Sequence, residues 1–272
     1  MILDLIRSRR SVRTFAAKEI PAEVLENLMT YADGITNPYG VPVWFKLLNA
    51  KENGLSSPVI SGGDWYIGGD WYIGGGVEEC PHFGEAYGYS FETLVLYAQS
   101  LGLGTTWIGG TMNRGSFERA MELLDGEQMP CVTPLGYAAE KMSLRETLMR
   151  KGVKAENRAK FEEVFFDGSF GKPLTSARAG RLAEPLEAVR LGPSAVNKQP
   201  WRVVVTEDAV HFYVKKLKGL PVADMQKIDM GIALCHFALT AEELGIATEF
   251  VILDSGMPTS VDAVYIASYL LK

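Results

Sequence analysis

Ser194, Asn197 and Gln199 stand at short intervals between Pro193 and Pro200, and Trp201 leads at once into the β-branched run Val203-Val204-Val205. Proline fixes φ and small polar side chains bond their own backbone, so the stretch from Gly192 to Trp201 is expected to be a fixed extended loop. Such a loop aims a hydroxyl and two amides, which is the chemistry of a ligand wall. A second candidate lies nearly two hundred residues earlier, in Arg9-Arg10-Ser11-Val12-Arg13-Thr14-Phe15. If that run is extended, Arg9, Ser11 and Arg13 alternate onto one side, with Arg10 beside them. Two guanidiniums and a hydroxyl make a cradle for a phosphate, although the run taken alone reads more readily as a solvated basic patch. A third is Leu103 to Gly110, a short strand expected to end in Gly109-Gly110, where the missing Cβ lets backbone approach a flat ligand.

The elements that must position these groups follow from periodicity. Ile2 to Ser8 is a short helix with Leu3 and Ile6 inward, and a second helix starts at Pro21, carries Val24, Leu25, Leu28, Met29 and Ala32, and stops at Gly34. Val43 to Leu48 reads as a strand. Gly88 to Leu101 is a helix with Phe91, Leu94, Val95 and Ala98 in one stripe, closed by Gly102. Phe117, Ala120, Leu123 and Leu124 mark another, and Val132 to Tyr137 a further strand. The hexapeptide Asp-Trp-Tyr-Ile-Gly-Gly occurs twice in succession, at 64–69 and 70–75. One copy is expected to be a strand and the other to extend a loop, since neither is followed by the Lys-Ser/Thr of a phosphate loop.

Composition excludes several classes. With 272 residues, 47% hydrophobic and 22% charged, the chain has ample material for a core and no signature of disorder. A net charge of -6 argues against general affinity for nucleic acid or an anionic membrane, so any anion site must be local. Cys80, Cys131 and Cys235 fit no metal or disulfide spacing, and His82, His211 and His236 form no ligand motif. Adjacent Cys235 and His236 are expected to be a buried thiol and a partly exposed ring. With charged residues before any apolar run no secretory signal is expected, and no stretch approaches the ~20 apolar residues needed to span a bilayer, so a cytoplasmic protein is expected.

The Pro193-Ser-Ala-x-Asn-x-Gln-Pro-Trp201 run resembles the signature loop of the nitroreductase family, flavoproteins that bind FMN at a dimer interface. The Arg9 to Arg13 run is similar to the family's phosphate and ribityl clamp, and Ile108, Gly109 and Gly110 to the segment whose backbone approaches flavin N5. The resemblance further implies that Pro193, Ser194, Ala195, Asn197 and Gln199 wall the isoalloxazine ring. It also implies that a cation after the Leu135-Gly-Tyr segment, Arg145 or Arg150, assists with the phosphate. No residue is expected to serve as acid or base, because hydride passes directly through N5. Reduction by NADH or NADPH followed by transfer to a nitroaromatic, quinone or other small acceptor in a ping-pong cycle is what such a protein would do. Trp65, Tyr66 and Trp107 could stack on acceptors, with core packing as the plainer use. No counterpart of the family's lid helices is recognisable.

The second half can be laid on the first. Gly88 to Gly102 matches Gly231 to Gly245 without a gap, Trp44 with its strand matches Trp201 with Arg202 to Val205, and Ala247 to Leu253 and Val264 to Leu270 supply the later strands. The first half lacks the signature loop and the second lacks the arginine run. The expectation is an α/β (α+β) protein of two nitroreductase-like repeats, 1–150 and 151–272, each a mostly antiparallel sheet flanked by helices. Such a chain would be a monomeric pseudo-dimer holding one FMN. Two other classes compete: a non-catalytic FMN-binding sensor, and a doubly wound dehydrogenase, whose Gly-x-Gly-x-x-Gly opening of a helix is absent.

Overall fold

The computed structural model describes residues 1–62, 70–216, 224–253, 256 and 262–272. The described residues form two compact units, one of Ser8–Ala155 and one of Met1–Arg7 with Glu156–Lys272. The opening helix α1 (Ile2–Ser8) buries Leu3 and Ile6. It is tied within the second of these units, where the Ile2 N–H donates to both carboxylate oxygens of Glu243, at 2.8 and 2.9 Å.

In the unit Ser8–Ala155, β1 (Thr14–Phe15) is followed by α2 (Ala22–Asp33), which begins after Pro21 and is stopped by Gly34. Strand β2 (Val43–Asn49) follows, and β3 (Ser61–Gly62) pairs parallel with β1. Strand β4 (Trp71–Glu78) contains the second copy of the hexapeptide; the first copy lies outside the described residues. It runs antiparallel to β2, with Trp44 opposite Gly76. A Cβ on Gly76 would stand 2.2 Å from Trp44 Cε2, so the indole lies on bare backbone. Helix α3 (Phe83–Ser100) begins five residues before the expected Gly88 and is buried nearly all round. Helix α4 (Arg114–Met121) ends before the predicted Leu123 and Leu124, because Glu122 turns left-handed at φ 58°. Strands β5 (Glu127–Gln128) and β6 (Val132–Leu135) pair with opposite ends of the other edge of β4, and α5 (Leu144–Gly152) closes the unit. Leu48, Tyr72, Ile108, Phe117 and Val132 meet in one apolar core.

The predicted strand around Thr105–Ile108 is not continuous. Ser11, Gly104 and Ile108 form isolated bridges to Thr105, Gly136 and Val132, while the Thr106 N–H donates to the Thr133 hydroxyl at 2.9 Å. The bonding capacity of this backbone is shared among several segments, which no single ladder would allow.

The other unit continues with the short α6 (Phe161–Val164), β7 (Phe165–Asp167), α7 (Ser176–Ala179) and α8 (Ala183–Leu191). Strands β8 (Trp201–Val205) and β9 (Ala209–Lys215), helix α9 (Asp224–Glu243) and strands β10 (Thr248–Val251) and β11 (Ala263–Leu271) complete it. Its sheet has the order β10-β11-β9-β8-β7, antiparallel except for β7 beside β8. Helix α9 packs on α8, and His236 there is fully buried with Nδ1 2.8 Å from the Ala188 carbonyl, not partly exposed as expected. That ring position is set by a helix covered on both sides, which adjacency to Cys235 in sequence does not reveal. Among the described residues no helix is long and apolar enough to cross a membrane.

Candidate functional site

The arginine run is built into the unit Ser8–Ala155 by close backbone packing. The Val12 N–H donates to the Thr105 carbonyl at 2.8 Å, and a Cβ on Gly104 would meet Val12 Cγ2 at 2.8 Å. Helix α5 is joined to the same run through its cap. Ser143 Oγ accepts the Glu146 N–H at 3.1 Å, and the Ser143 N–H donates to Thr14 Oγ1 at 3.0 Å. These bonds place the α5 side chains against the arginines. Arg10 Nη1 donates to Glu146 Oε1 at 3.0 Å, and the Arg13 N–H to Glu146 Oε2 at 3.2 Å.

Arg9 is the most enclosed of the set. Its side chain is 4% exposed, and its Nε lies 3.9 Å from the Glu92 carboxylate on α3, itself fully buried. The Arg9 Nη1 atom is buried and has no hydrogen-bond partner. Burial holds the Arg9 guanidinium below its usual range, Glu92 opposes that, and Arg150 adds a like-charge push in the same direction as burial. Arg13 is lowered in the same way, first by burial and then by Arg150 and Arg9, against Glu146. Arg9, Arg13 and Arg150 thus repel one another at one place, opposed by Glu92 and by a Glu146 that is already bonded to Arg10. Positive charge crowded in this way, with a buried donor left over, suits a phosphate. Ser11 is half-buried beside Thr105, and Arg145 is exposed on the same helix as Arg150.

The Ile108–Gly110 segment leaves the core as a half-open edge. Ile108 is buried and exchanges both backbone bonds with Val132 at 2.9 Å, so its amide is occupied. Arg114 Nη2 holds the Gly109 carbonyl at 2.7 Å, with Nη1 on the Met129 carbonyl at 2.7 Å. A Cβ on Gly110 would meet nothing within 4 Å, so backbone there is open to a ligand. Trp107 does not face outward for stacking. Its ring centroid is 4.8 Å from that of Phe91, and its Nε1 donates to Glu92 Oε2 at 2.9 Å.

The Gly192–Trp201 segment is fixed but not extended. Ala195–Asn197 is a 3-10 turn, and Val196, Asn197 and Gln199 all take positive φ, at 44°, 58° and 48°. Asparagine tolerates that region because its short amide can bond locally, whereas valine does not. The polar side chains that the sequence marks as a ligand wall brace the turn. Ser194 Oγ accepts the Gln199 N–H at 2.8 Å, and Asn197 Oδ1 accepts from Arg158 Nη1 at 3.0 Å. Gln199 Oε1 accepts the Ala159 N–H at 2.8 Å. Beneath the turn, Asp229 on α9 accepts the Ala195 N–H at 2.9 Å. Pro193 and Ala195 are half-buried and Val196 stands 65% exposed at the tip.

Sequence reasoning missed Glu92, Glu146, Asp229 and the Asn157–Ala159 brace. A signal existed for two of them. Glu92 lies three and four positions from Val95 and Leu96, and Asp229 three and four from Ile232 and Ala233, so each carboxylate shares a buried face and requires a partner there.

These features define a mixed α+β protein, its sheets flanked by helices, with a cluster of arginines packed into one unit. Residues 1–241 match the family described as "Putative TM nitroreductase". The chain belongs to that nitroreductase family. Among solved structures, a Thermotoga maritima MSB8 protein described in the same terms has a TM-score of 0.64 at 18% identity, over 99% of this chain and 92% of its own, a likeness of fold. An FMN-dependent nitroreductase from Clostridium difficile R20291 aligns at 18% identity and TM-score 0.41, over 51% of this chain and 88% of its own. A nitroreductase with bound FMN from Bacteroides fragilis NCTC 9343 aligns at 20% identity and TM-score 0.40, over 53% of this chain and 91% of its own. No curated protein matches.

Proposed function

We propose that the protein is an FMN-dependent NAD(P)H oxidoreductase of nitroreductase type, acting on a nitroaromatic, a quinone or another small acceptor. The observation that carries this reading is the buried, unpartnered Arg9 Nη1 amid the mutually repelling Arg9, Arg13 and Arg150. A buried guanidinium donor costs free energy until an acceptor reaches it, and a phosphate monoester supplies both acceptor oxygens and the opposing charge. Arg9, Arg13 and Arg150 would hold that phosphate, with Arg10 fixed beside them by Glu146 and Ser11 at the edge.

Bound FMN would supply hydride transfer from NADH or NADPH to the acceptor. The chain's own part is binding and orientation. Ile108 anchors the strand edge, Arg114 fixes the Gly109 carbonyl, and Gly110 leaves room for a flat ring. The reading also has Pro193, Ser194, Ala195, Asn197 and Gln199 form the wall of the isoalloxazine, their polar groups held in place by the bonds that brace the turn. On the same reading the chain is two fused repeats meeting near residue 150, carries one FMN, and works as a monomer in the cytoplasm.

The test is the absorption spectrum of the purified protein, its flavin-to-chain ratio, and bleaching of the flavin by NADH or NADPH under argon. One FMN per chain, bleached by a nicotinamide and recoloured by a quinone, is the expected result. A flavin that neither nicotinamide bleaches would make this a non-catalytic FMN-binding protein. Absence of flavin after reconstitution would overturn the reading altogether.

A further inference from the structure

We propose that Glu92 is a positioning residue for the flavin site. It aims Arg9 at the phosphate and, through Trp107, ties the Ile108–Gly110 segment to the same point. The proposal rests on the phosphate reading of the arginine cluster and adds a residue that touches no ligand.

Glu92 lies in the most enclosed part of α3 and is fully buried, among neighbours such as Phe91, Leu94 and Val95. A carboxylate there contributes little to stability that a leucine would not, because taking charges out of water costs about what their attraction returns. What a leucine cannot do is direct two polar groups. Each Glu92 oxygen serves a different segment: Oε1 faces Arg9 Nε at 3.9 Å, and Oε2 accepts from Trp107 Nε1 at 2.9 Å.

The two served segments are the two this unit would offer a flavin. Arg9 opens the arginine run; Trp107 immediately precedes Ile108, Gly109 and Gly110. A guanidinium is a planar fork with donors on more than one edge. With the Nε edge turned to Glu92, the Nη1 atom is left for a ligand, and Nη1 is the buried atom without a partner. Trp107 is held from both sides, by the carboxylate at its nitrogen and by Phe91 against its ring. One buried carboxylate therefore fixes the relative placement of the cation and the glycine edge.

FMN and riboflavin differ only in the phosphate, so their affinity ratio reads the aim of Arg9 separately from the packing of the site. The flavin-free full chain is titrated with each, following flavin fluorescence, for wild type, Glu92→Gln, Arg9→Ala and the double variant, with circular dichroism confirming the fold. Glutamine keeps an oxygen for Trp107 and removes the charge that holds Arg9. Glu92→Gln is expected to weaken FMN about tenfold and riboflavin less than about threefold, and to add less than about twofold in the Arg9→Ala background. Equal weakening of both flavins would make Glu92 a packing residue and overturn the proposal. So would an unchanged ratio, or tighter FMN binding, which is the outcome of added positive charge without aim. Should Glu92→Gln not fold, Glu92→Asp withdraws the carboxylate by one methylene and is expected to lower the same ratio; an unchanged ratio there overturns the proposal as well. A wild type that binds both flavins alike refutes the phosphate reading itself, a result distinct from one in which wild type discriminates and Glu92→Gln still does.

Discussion

Asp229 on α9 accepts the backbone N–H of Ala195 at 2.9 Å, so a turn with left-handed residues at Val196 and Asn197 is held from beneath by one carboxyl. Its second oxygen is buried without a hydrogen-bond partner. Burial pushes the carboxyl up to about 8, against the opposing effect of the Ala195 bond. An acid raised on folding binds its proton more tightly in the native state. The stability it contributes is therefore full below the unfolded value of about 3.9 and is lost as pH rises to about 8. Asp229→Asn, neutral throughout, is expected to flatten this part of the pH dependence while keeping the acceptor for Ala195. Urea midpoints from pH 5 to 9 check it; parallel slopes in wild type and variant would refute it.

Val196 sits at φ 44° and is 65% exposed, a β-branched residue in the left-handed region with little packing to repay the strain. Such a residue costs on the order of 1–3 kcal/mol, and glycine there gives back part of the gain as unfolded-chain entropy. Val196→Gly is expected to stabilise the protein by roughly 1 kcal/mol, and Val196→Ala by less. Thermal melts decide the matter, and destabilisation by glycine would show that the valine side chain is held by something other than this strain.

Gly76 lies under the Trp44 indole, where an added Cβ would stand 2.2 Å from Cε2. Gly76→Ala must displace the ring or the strand, and with it the bond from Trp44 Nε1 to Glu127 at 2.9 Å. A loss of about 3 kcal/mol or more is expected, with partial recovery when Trp44 is also changed to leucine. Chemical denaturation of the two variants measures both, and a neutral Gly76→Ala would refute the contact.

The same glycine shows how far the sequence could be read. Helices α1 and α2 and strands β2, β8, β10 and β11 were legible from their apolar patterning, sharpened by Pro21 and Gly34 around α2 and by Pro200 before β8, and α9 from its match to residues 88–102. Which hexapeptide copy forms β4 was not, since the copies are identical; they differ only in the next residue, Asp70 after the first and Gly76 after the second, and only glycine fits under Trp44. Helix α5 was passed over because its burial is narrow: Leu144 is 84% and Leu148 69% exposed, which blurs the stripe. In the candidate site the donors were legible by type, and the arginine run is brought together with Arg150. The carboxylates that aim them were not, because a buried acid betrays itself only through the partner that long-range folding brings to it.

The choice between Arg145 and Arg150, open in the sequence, becomes a definite expectation once α5 is placed. Five positions apart on a helix, the two point about 140° apart, since each residue turns the helix by about 100°. Arg150 acts on both Arg9 and Arg13 as a like charge, whereas Arg145 is exposed. On the proposed reading the three share the FMN phosphate, and a charged hydrogen bond of that kind is worth roughly 1.5–3 kcal/mol, or about ten- to a hundredfold in affinity. Arg150→Met is accordingly expected to weaken FMN by about that factor, to leave riboflavin within about threefold, and to reduce the salt dependence of FMN binding. Arg145→Met should change none of these. Fluorescence titrations at two ionic strengths make the comparison, and equal losses from the two variants would mean that general positive potential, rather than a built phosphate clamp, attracts the ligand.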